Sequence, residues 1–416
     1  MPETPTGNVA IIGAGPAGTA AAIVLARAGV GVDVFDRAQF PRDKCCGDGL
    51  TTLALRELEP LGLDPAEVAS WLPVSEVLIR SPRGRERRYP LPDGTGYHAA
   101  VARRRDLDAA LVNLARSEGA RIHEEHRFTG LTVDDSAAHL TFADSATDPF
   151  RASVVIAADG MWSPVRKSLG LSVENYRGEW HAFRQYFANV SEQAAQELVV
   201  WFERDLLPGY VWSFPLQGNR ANVGFGIQRG SGHRVGDMNA LWQDLLARPH
   251  IRAFLGDHAV PEASHKAWPI PARVGRVPLT GPRTLFVGDA AAVTDPMTGE
   301  GIGQALLSGR LAAEAILTSD DPFGHYEREI RRELVADDRM ARLLIPLLAR
   351  PTVAGAALRA TGLTDWTRRN FARWMFEDYP RAMIATPRRW HRGMFTGPGA
   401  YANPPIGGPP KPAEQP

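Results

Sequence analysis

A glycine-rich run near the start of the chain could bind phosphate groups. Its residues are Gly13-Ala14-Gly15-Pro16-Ala17-Gly18. Glycines at this spacing permit a tight turn and let the backbone approach a pyrophosphate, which then rests on the N-terminus of the following helix. The run follows an apolar strand, and Asp36 ends the next strand, where it could hold a ribose hydroxyl. We therefore assign to a dinucleotide site Gly13, Gly15, Ala17, Gly18, Asp36 and Arg37.

A distant segment distinguishes FAD from NAD, which the glycine run alone cannot do. In VGDAAAVTDPMTGEGIG, Asp289 ends an apolar strand, where its carboxylate could accept a ribityl hydroxyl. Gly299 and Gly301 then open a helix at Ile302. The positive end of that helix would stabilise the negative charge near the N1–C2=O edge of a reduced flavin.

A third segment, AADGMWSPVR, places Asp159 and Gly160 after another apolar strand. Such a pair is usually no more than a turn. Because the other two cofactor segments occur in the same chain and in this order, we interpret the turn as part of a flavin site. The three segments together predict FAD as the cofactor, and we assign no metal ligands.

These segments need a doubly wound sheet to bring them together. The stretch from residue 8 to residue 36 predicts strand, helix and strand, which opens such a sheet. The predicted fold class is α/β: a doubly wound FAD-binding domain with a parallel sheet, an antiparallel-sheet substrate domain and a helical C-terminal region. The expected ranges are 1–174 (FAD-binding, with interspersed substrate-side strands), 175–270 (antiparallel substrate domain), 271–320 (FAD-binding, second part), 321–396 (helical) and 397–416 (a Pro/Gly-rich tail, expected to be disordered).

Composition limits the classes of partner and location. Lys+Arg and Asp+Glu both number 47, so net charge gives no reason to expect a nucleic-acid partner. The two adjacent cysteines are not expected to pair, which fits a reducing cytoplasm. We find neither a signal peptide nor about 18 consecutive apolar residues. The expected location is cytoplasmic, either free or at the inner face of the membrane, and the oligomeric state stays open.

The cofactor segments resemble the FAD-dependent superfamily that includes aromatic hydroxylases, flavin halogenases and geranylgeranyl reductases. The resemblance covers nearly the whole chain to about residue 315. It implies that Arg103, in VARRRDLD, lies near the FAD ribose and phosphate, and it adds Phe128 to the cofactor site. Without the resemblance, Arg103 would be interpreted as a solvated arginine at the start of a helix.

FPRDKCCGDGL resembles the K-P-C-G-x-G-L segment of geranylgeranyl reductases, with Cys46, Gly47 and Gly49 at the matching positions. Cys45 stands where a proline is common. The resemblance implies that Cys46 lies close to the isoalloxazine and tunes or gates it. The alternative is a small buried residue that only fills space.

The stretch from Tyr210 to Gly226 resembles the Y-x-W-x-F-P…G-x-G pattern that lines the prenyl pocket of geranylgeranyl reductases. Period-2 spacing places three aromatic residues on one face of a strand, although such a stripe is more often plain core. The implied substrate-binding residues are Tyr210, Trp212, Phe214, Pro215, Gly224 and Gly226, with Cys46, Tyr210 and Trp212 as catalytic candidates.

The resemblance implies a reductase that saturates C=C bonds of a polyprenyl lipid, and it looks most like the actinobacterial menaquinone side-chain reductases. The electron donor, NADPH or another reductant, stays open. Tyr210 or an ordered water is the candidate proton donor. Alternatives are a class A monooxygenase that hydroxylates or epoxidises an aromatic or polyketide-type metabolite, and a non-catalytic FAD-binding protein. The Trp-x-Trp-x-Ile-Pro segment and early lysine of flavin halogenases are not evident.

The C-terminal stretch from Trp366 to Phe395 alternates arginines with aromatic residues. It could contact an anionic membrane surface, or it could be a basic helical cap packed on the protein. The residues concerned are Arg368, Arg369, Arg373, Arg388, Arg389, Arg392, Phe371, Trp374, Phe376 and Trp390.

Overall fold

A six-stranded sheet forms the centre of the cofactor-binding half. The structure is a computed structural model that describes residues 8–143, 149–390 and 394–402. All neighbouring strands of this sheet are parallel except the pair at one edge. The central strands are short apolar runs, the pattern of parallel strands covered on both faces. The order is Thr280–Gly281, Thr284–Phe286, Val154–Ala157, Val9–Ile12, Val32–Phe35 and Arg121–His123.

Two long helices pack against each other beside this sheet, Pro16–Arg27 and Ile302–Thr318. A Cβ atom at Gly309 would lie 2.0 Å from the backbone oxygen of Ala17, so glycine is required where the two helices approach. This contact joins the first and last cofactor segments of the chain. The remaining helices of this half are Thr52–Leu58, Arg104–Ser117 and Pro164–Ser168.

A larger sheet forms the second half, and it is antiparallel except where Leu198–Trp201 pairs in parallel with Glu76–Arg80. One face packs on the helices Met238–Ala247 and Pro249–Leu255, and the short helix Glu192–Gln196 lies close by. The opposite face holds the side chains of Trp212 and Phe214. The order is Val260–Pro261, Trp180–Ala188, Arg220–Gln228, Tyr210–Leu216, Leu198–Trp201, Glu76–Arg80 and Glu86–Pro90, with Lys266–Ile270 also paired to Trp180–Ala188.

Two small sheets complete the strands in the part of the chain that the structure describes. Their strands are Phe128–Val133, Ala138–Phe142 and Phe150–Ala152 in one, and Gly49–Leu50, Leu72–Pro73 and Ala100–Val101 in the other. The predicted α/β fold class is confirmed, since the chain combines a parallel sheet, a mostly antiparallel sheet and a helical C-terminal region.

The C-terminal region contains Pro322–Ile330, Ala336–Leu348, Pro351–Thr361 and Asp365–Met375. In the described ranges no individual helix has both the length and the apolar character to cross a bilayer; Pro322–Leu348 and Pro351–Thr361 reach that composition only as a pair bent by 114°.

One expectation about the C-terminus needs correction. The expected disorder from residue 397 is wrong for 397–402, because Ala400 pairs with Tyr97 and Tyr401 donates its hydroxyl to the Leu63 carbonyl oxygen at 3.0 Å. Residues 403–416 lie outside the described residues. Arg373 is buried in an ion pair with Asp378, which for this residue fits the alternative of a basic helical cap packed on the protein.

Candidate functional site

The cofactor segments and the aromatic strand line one cavity of about 1100 Å³ between the two halves. It therefore unites parts of the chain that are separated by up to about 290 residues. On the side of the parallel sheet, its predicted lining residues are Gly13, Gly15, Ala17, Asp36, Arg37, Phe128, Asp159, Gly160, Asp289, Gly299, Gly301 and Ile302. On the opposite side they are Cys46, Gly47, Gly49, Tyr210, Trp212, Phe214 and Gly226.

The glycine-rich turn leaves space and hydrogen-bond donors for a phosphate. Gly13 has φ +104°, and a Cβ there would lie 2.3 Å from the Ala158 carbonyl oxygen. A Cβ at Gly18 would lie 1.9 Å from the Gly13 oxygen, so Gly18 supports the turn without lining the cavity. The space beside Gly15 is bounded by the Arg42 side chain, whose guanidinium nitrogen lies 3.8 Å from where a Cβ would be, and no side chain of the described residues caps the helix that follows. The free N–H groups at this helix end suit an anionic pyrophosphate.

Asp36 is buried and fixes the loops at the ribose end of the cavity. One carboxylate oxygen accepts the Ala14 N–H at 2.8 Å, and the other accepts the Ala38 N–H at 2.8 Å. Each oxygen keeps a lone pair, because a carboxylate can accept about four hydrogen bonds. Asp36 can thus hold the loop and accept a ribose hydroxyl.

Asp159 presents an unpaired oxygen at the cavity. Its Oδ2 accepts the Val165 N–H at 2.9 Å, whereas Oδ1 is buried with no hydrogen-bond partner among the described residues. Burial raises the pKa of Asp159 to about 6. An unsatisfied buried acceptor of this kind favours a bound hydroxyl group as its partner.

Two cations that line the cavity, Arg42 and Lys44, were missed from the sequence, because only the fold brings them beside the cofactor segments. Arg42 lies over that turn, with a guanidinium nitrogen 3.8 Å from where a Cβ of Gly15 would be. Lys44 places Nζ 3.5 Å from the centroid of the Trp268 ring. Burial lowers the pKa of Lys44 to about 8, and the nearby charge of Asp289 opposes that shift. These cations could neutralise a pyrophosphate.

Arg103 is a correction to the predicted cofactor site. Among the described residues that line the cavity, Arg104 is present and Arg103 is not. The Arg103 guanidinium lies 4.6 Å from the centroid of the Tyr186 ring. Arg104 instead is buried and forms two hydrogen bonds of 2.8 Å to Asp108. The side chains of Arg103 and Arg104 point in different directions at the start of the helix, so the sequence alone could not show which of them lines the cavity.

Cys46 lies half-buried at the cavity wall, next to a polar network beneath the loop. Burial raises the pKa of its thiol to about 12, so Cys46 is uncharged at neutral pH. Asn222 donates to the Cys46 carbonyl oxygen at 2.9 Å and to Asp48 at 2.8 Å. Tyr186 also donates to Asp48, at 2.7 Å. The network fixes the backbone on which Cys46 is placed.

The aromatic strand forms a wall of the cavity. The ring centroids of Tyr210 and Trp212 are 6.0 Å apart, and those of Trp212 and Phe214 are 6.2 Å apart. Burial raises the pKa of Tyr210, whose hydroxyl donates to the Thr298 carbonyl oxygen. Period-2 spacing therefore predicted the shared face correctly.

Glycines allow the backbone to lie against this wall. A Cβ at Gly49 would lie 2.9 Å from the Phe214 ring, and one at Gly224 would lie 2.3 Å from the Trp212 ring. Gly224 and Pro215 do not belong to the described lining of the cavity, in contrast to their predicted contact with substrate. The role of Gly224 is to make room for the indole.

Glu300 is a further lining residue that the sequence did not single out. Burial raises the pKa of its carboxyl group to about 8, with the charge of Glu377 as the next cause, and Arg381 opposes both. The only available signal was its place between Gly299 and Gly301. No group of three or more potential metal ligands is positioned around a common point in the described ranges.

Comparison with known proteins agrees with this geometry. Residues 6–309 match the family model described as FAD binding domain. The chain is 34% identical over 328 residues to menaquinone reductase from Mycolicibacterium smegmatis, covering 75% of this chain and 76% of the relative. It is 34% identical over 330 residues to digeranylgeranylglycerophospholipid reductase 2 from Methanopyrus kandleri, covering 74% and 76%.

A solved structure has the same fold. It is described as a geranylgeranyl bacteriochlorophyll reductase-like protein from Thermoplasma acidophilum, with a TM-score of 0.76 and 22% identity over 92% of this chain and 99% of the other. The open glycine turn, the unpaired Asp159 oxygen and the uncapped helix at Ile302 fit FAD. The chain therefore belongs to the FAD-binding domain family, within the group that contains these two curated reductases, and FAD is its cofactor.

Proposed function

We propose that this protein is an FAD-dependent reductase that saturates C=C bonds of a polyprenyl chain of the geranylgeranyl or menaquinone type. The observation that carries the proposal is the aromatic wall of Tyr210, Trp212 and Phe214, which lies against the Cys46 loop in the cofactor cavity. Relatives named as menaquinone reductase and digeranylgeranylglycerophospholipid reductase support it.

Residues of this chain are proposed to hold the cofactor along the cavity. The glycine turn and Arg42 would bind the pyrophosphate, Asp36 a ribose hydroxyl, and Asp289 the ribityl chain. The uncapped helix at Ile302 would face the polar edge of the ring. When bound and reduced, FAD supplies the hydride for the reaction.

The aromatic wall is proposed to bind the prenyl chain and to stabilise the reaction. An isolated C=C bond resists hydride, so a proton must reach one of its carbons as charge develops on the other. The faces of Trp212 and Tyr210 attract such a positive charge. Cys46, held as a neutral thiol, is proposed to pack beside the ring system and to exclude water.

The substrate class suggests a place for the enzyme at a lipid surface, and we propose peripheral contact through the C-terminal region. Trp366 is 65% exposed, Ile384 is 92% exposed and Trp390 is 55% exposed. Exposed arginines accompany them, namely Arg350, Arg359, Arg369 and Arg388. Aromatic, apolar and cationic groups together suit an anionic membrane. Arg392 lies outside the described residues, and cytoplasmic location stays a prediction.

The test is a single turnover without oxygen. Dithionite-reduced holoenzyme, mixed with menaquinone or a geranylgeranyl lipid, should give a product heavier by two hydrogens, detected by mass spectrometry. Replacement of Trp212 with leucine should slow this step by about tenfold, whereas Trp212→Phe should keep most of the rate. Absence of the mass gain with every prenyl lipid, or oxygen insertion into the substrate in air, would overturn the proposal in favour of another flavin chemistry.

A further inference from the structure

Glu300 is an unpaired acid in the cavity, where the proposed reaction needs a proton. Within the described residues its carboxyl group makes no hydrogen bond and no ion pair, although it lines the cavity. We propose that Glu300 is the proton donor of the reduction and that it regains its proton from a buried cluster of Asp295, Glu377 and Arg381. This inference rests on the proposed function and extends it to a named residue.

The position of Glu300 is the first argument. Its Oε1 lies 3.8 Å from where a Cβ of Gly49 would be, and the Phe214 ring lies 2.9 Å from the same point. The carboxyl group therefore occupies the junction of the Cys46 loop and the aromatic wall. Gly299, with φ +75°, turns the backbone just before it, and the Tyr210 hydroxyl lies 4.0 Å from where a Cβ of Gly299 would be.

The protonation state is the second argument. Burial and the negative charges of Glu377 and Asp295 raise the pKa of Glu300 to about 8, against the opposing charge of Arg381. At neutral pH the group therefore holds a proton, yet it releases that proton more readily than a typical hydroxyl group. An acid with a pKa close to the working pH is the effective kind of general acid.

The two other acids at the junction are weaker. Burial raises the pKa of the Cys46 thiol to about 12. Burial also raises the pKa of Tyr210, and its O–H is already donated to the Thr298 carbonyl oxygen. Both groups would have to give up a more tightly held proton than Glu300. Glu300 is therefore the better proton donor than Tyr210, which was one of the two candidates that the sequence offered.

A buried ionic cluster lies behind Glu300. Arg381 is fully buried, with a nitrogen 3.0 Å from an Asp295 oxygen and another 3.3 Å from a Glu377 oxygen. Thr51 donates to Glu377 at 2.8 Å, and Gln304 donates to it at 2.6 Å. These contacts hold two carboxylates at fixed positions near Glu300.

The same cluster reaches a second cavity of about 780 Å³, which is lined by Asp295, Glu377 and Arg381. Thr294 lines both cavities. A proton taken from water in the second cavity could therefore reach Glu300 without passing the substrate. The cluster would supply protons from the side opposite the prenyl chain.

The step balances in atoms and charge. The O–H bond of Glu300 breaks as a C–H bond forms at one alkene carbon, while reduced flavin supplies a hydride to the other carbon. Glu300 is left as a carboxylate and the flavin is left oxidised. A proton from the second cavity then restores the Glu300 carboxyl group.

Glu300→Gln tests the inference in the FAD-loaded enzyme. The rate at which prenyl substrate reoxidises the reduced flavin should fall by about 100-fold or more, the usual contribution of a general acid. Reduction of the bound flavin by dithionite and binding of the prenyl lipid should not change. Glu300→Asp should recover part of the rate, and Glu192→Gln, at an exposed glutamate of the larger-sheet half, should keep the wild-type rate.

A spectroscopic readout is independent of activity. Infrared difference spectra of the wild type should show a carboxyl group that ionises near pH 8 and is absent from Glu300→Gln. The inference is overturned, and the proposed function is not, if Glu300→Gln reduces the lipid as fast as the wild type does. A wild-type spectrum without that carboxyl group has the same consequence. A wild type that reduces no prenyl lipid overturns the proposed function and, with it, the inference.

Discussion

Asn222 donates a hydrogen bond from its side-chain amide to the backbone carbonyl oxygen of Cys46 at 2.9 Å. The carbonyl oxygen of the same amide accepts the indole N–H of Trp212 at 3.2 Å. One buried side chain thus positions both the loop beside the cofactor cavity and the central ring of the aromatic wall. The Cys46 loop and the aromatic strand, the two segments that indicate a prenyl reductase, are therefore joined by hydrogen bonds through Asn222.

Asn222→Ala should therefore destabilise the protein and disturb the cofactor environment. Its removal leaves the Trp212 N–H without a partner, and a buried unsatisfied group of this kind costs about 1–3 kcal/mol. The Cys46 carbonyl oxygen also loses one donor, although it keeps the Arg184 guanidinium at 3.2 Å. The measurements are urea unfolding and the visible spectrum of bound FAD. Gln196→Ala, at an exposed helical position that contacts Glu192, is the control and should leave both unchanged. An unfolding free energy equal to that of the wild type would contradict the prediction.

Gly224→Ala and Gly226→Ala form a matched pair on one strand. A Cβ at Gly224 would lie 2.3 Å from the Trp212 ring and 2.4 Å from the Phe183 carbonyl oxygen, whereas one at Gly226 would meet nothing within 4 Å. Overpacking of this kind costs about 1–3 kcal/mol. We expect loss of stability and altered near-UV circular dichroism for Gly224→Ala only. Equal stabilities of the two variants would show that the wall accommodates an extra methyl group.

Arg42→Ala should weaken FAD binding. Its guanidinium lies over the open side of Gly15, where the pyrophosphate is proposed to bind. Hydrogen bonds to a charged group contribute about 1.5–3 kcal/mol, which corresponds to at least a tenfold rise in the dissociation constant. Titration of apoprotein with FAD, followed by flavin fluorescence, measures it. Arg105→Ala removes an exposed arginine and should bind FAD like the wild type, so equal weakening in both variants would indicate a general charge effect.

Stability of the apoprotein should depend on pH through Glu300. Because its folded pKa of about 8 is above the ordinary value of 4.5, the unfolded chain loses this proton at lower pH than the folded one. The contribution of the protonated Glu300 carboxyl group to the unfolding free energy is complete below about pH 4.5 and is lost as pH rises through 8. Relative to Glu300→Gln, the wild type should lose about 4 kcal/mol of unfolding free energy between pH 5 and 9. Parallel pH curves for the two proteins would show that Glu300 titrates normally.

Binding to membranes should depend on the exposed apolar residues of the C-terminal region. Leu343 and Leu347 lie one turn apart on Ala336–Leu348 and are 74% and 45% exposed. We expect Leu343→Ser with Trp366→Ser to weaken the affinity for anionic vesicles, measured by sedimentation, by about 100-fold or more, since burial of each such side chain contributes about 1.5–3 kcal/mol. Added salt should weaken wild-type binding. Val173→Ser, at an exposed site elsewhere, is the control; equal loss there would argue against a defined membrane surface.

The sequence by itself determined the elements whose physics is local. The glycine turn requires a positive φ at Gly13 and the close approach of Gly18 to the Gly13 oxygen, and both requirements arise within six consecutive residues. The shared face of Tyr210 and Trp212 follows from the period of a strand, whatever that strand packs against. The cofactor and the fold class could be predicted for this reason.

Only the tertiary structure decided which side chains complete the site. Arg103 and Arg104 are adjacent, and packing against Tyr186 and Asp108 determines which of them faces the cavity. The raised pKa of Glu300 arises from burial and from the charge of Glu377, which is 77 positions away along the chain. Desolvation and the approach of distant charges are properties of the assembled fold, so no local pattern could have revealed them.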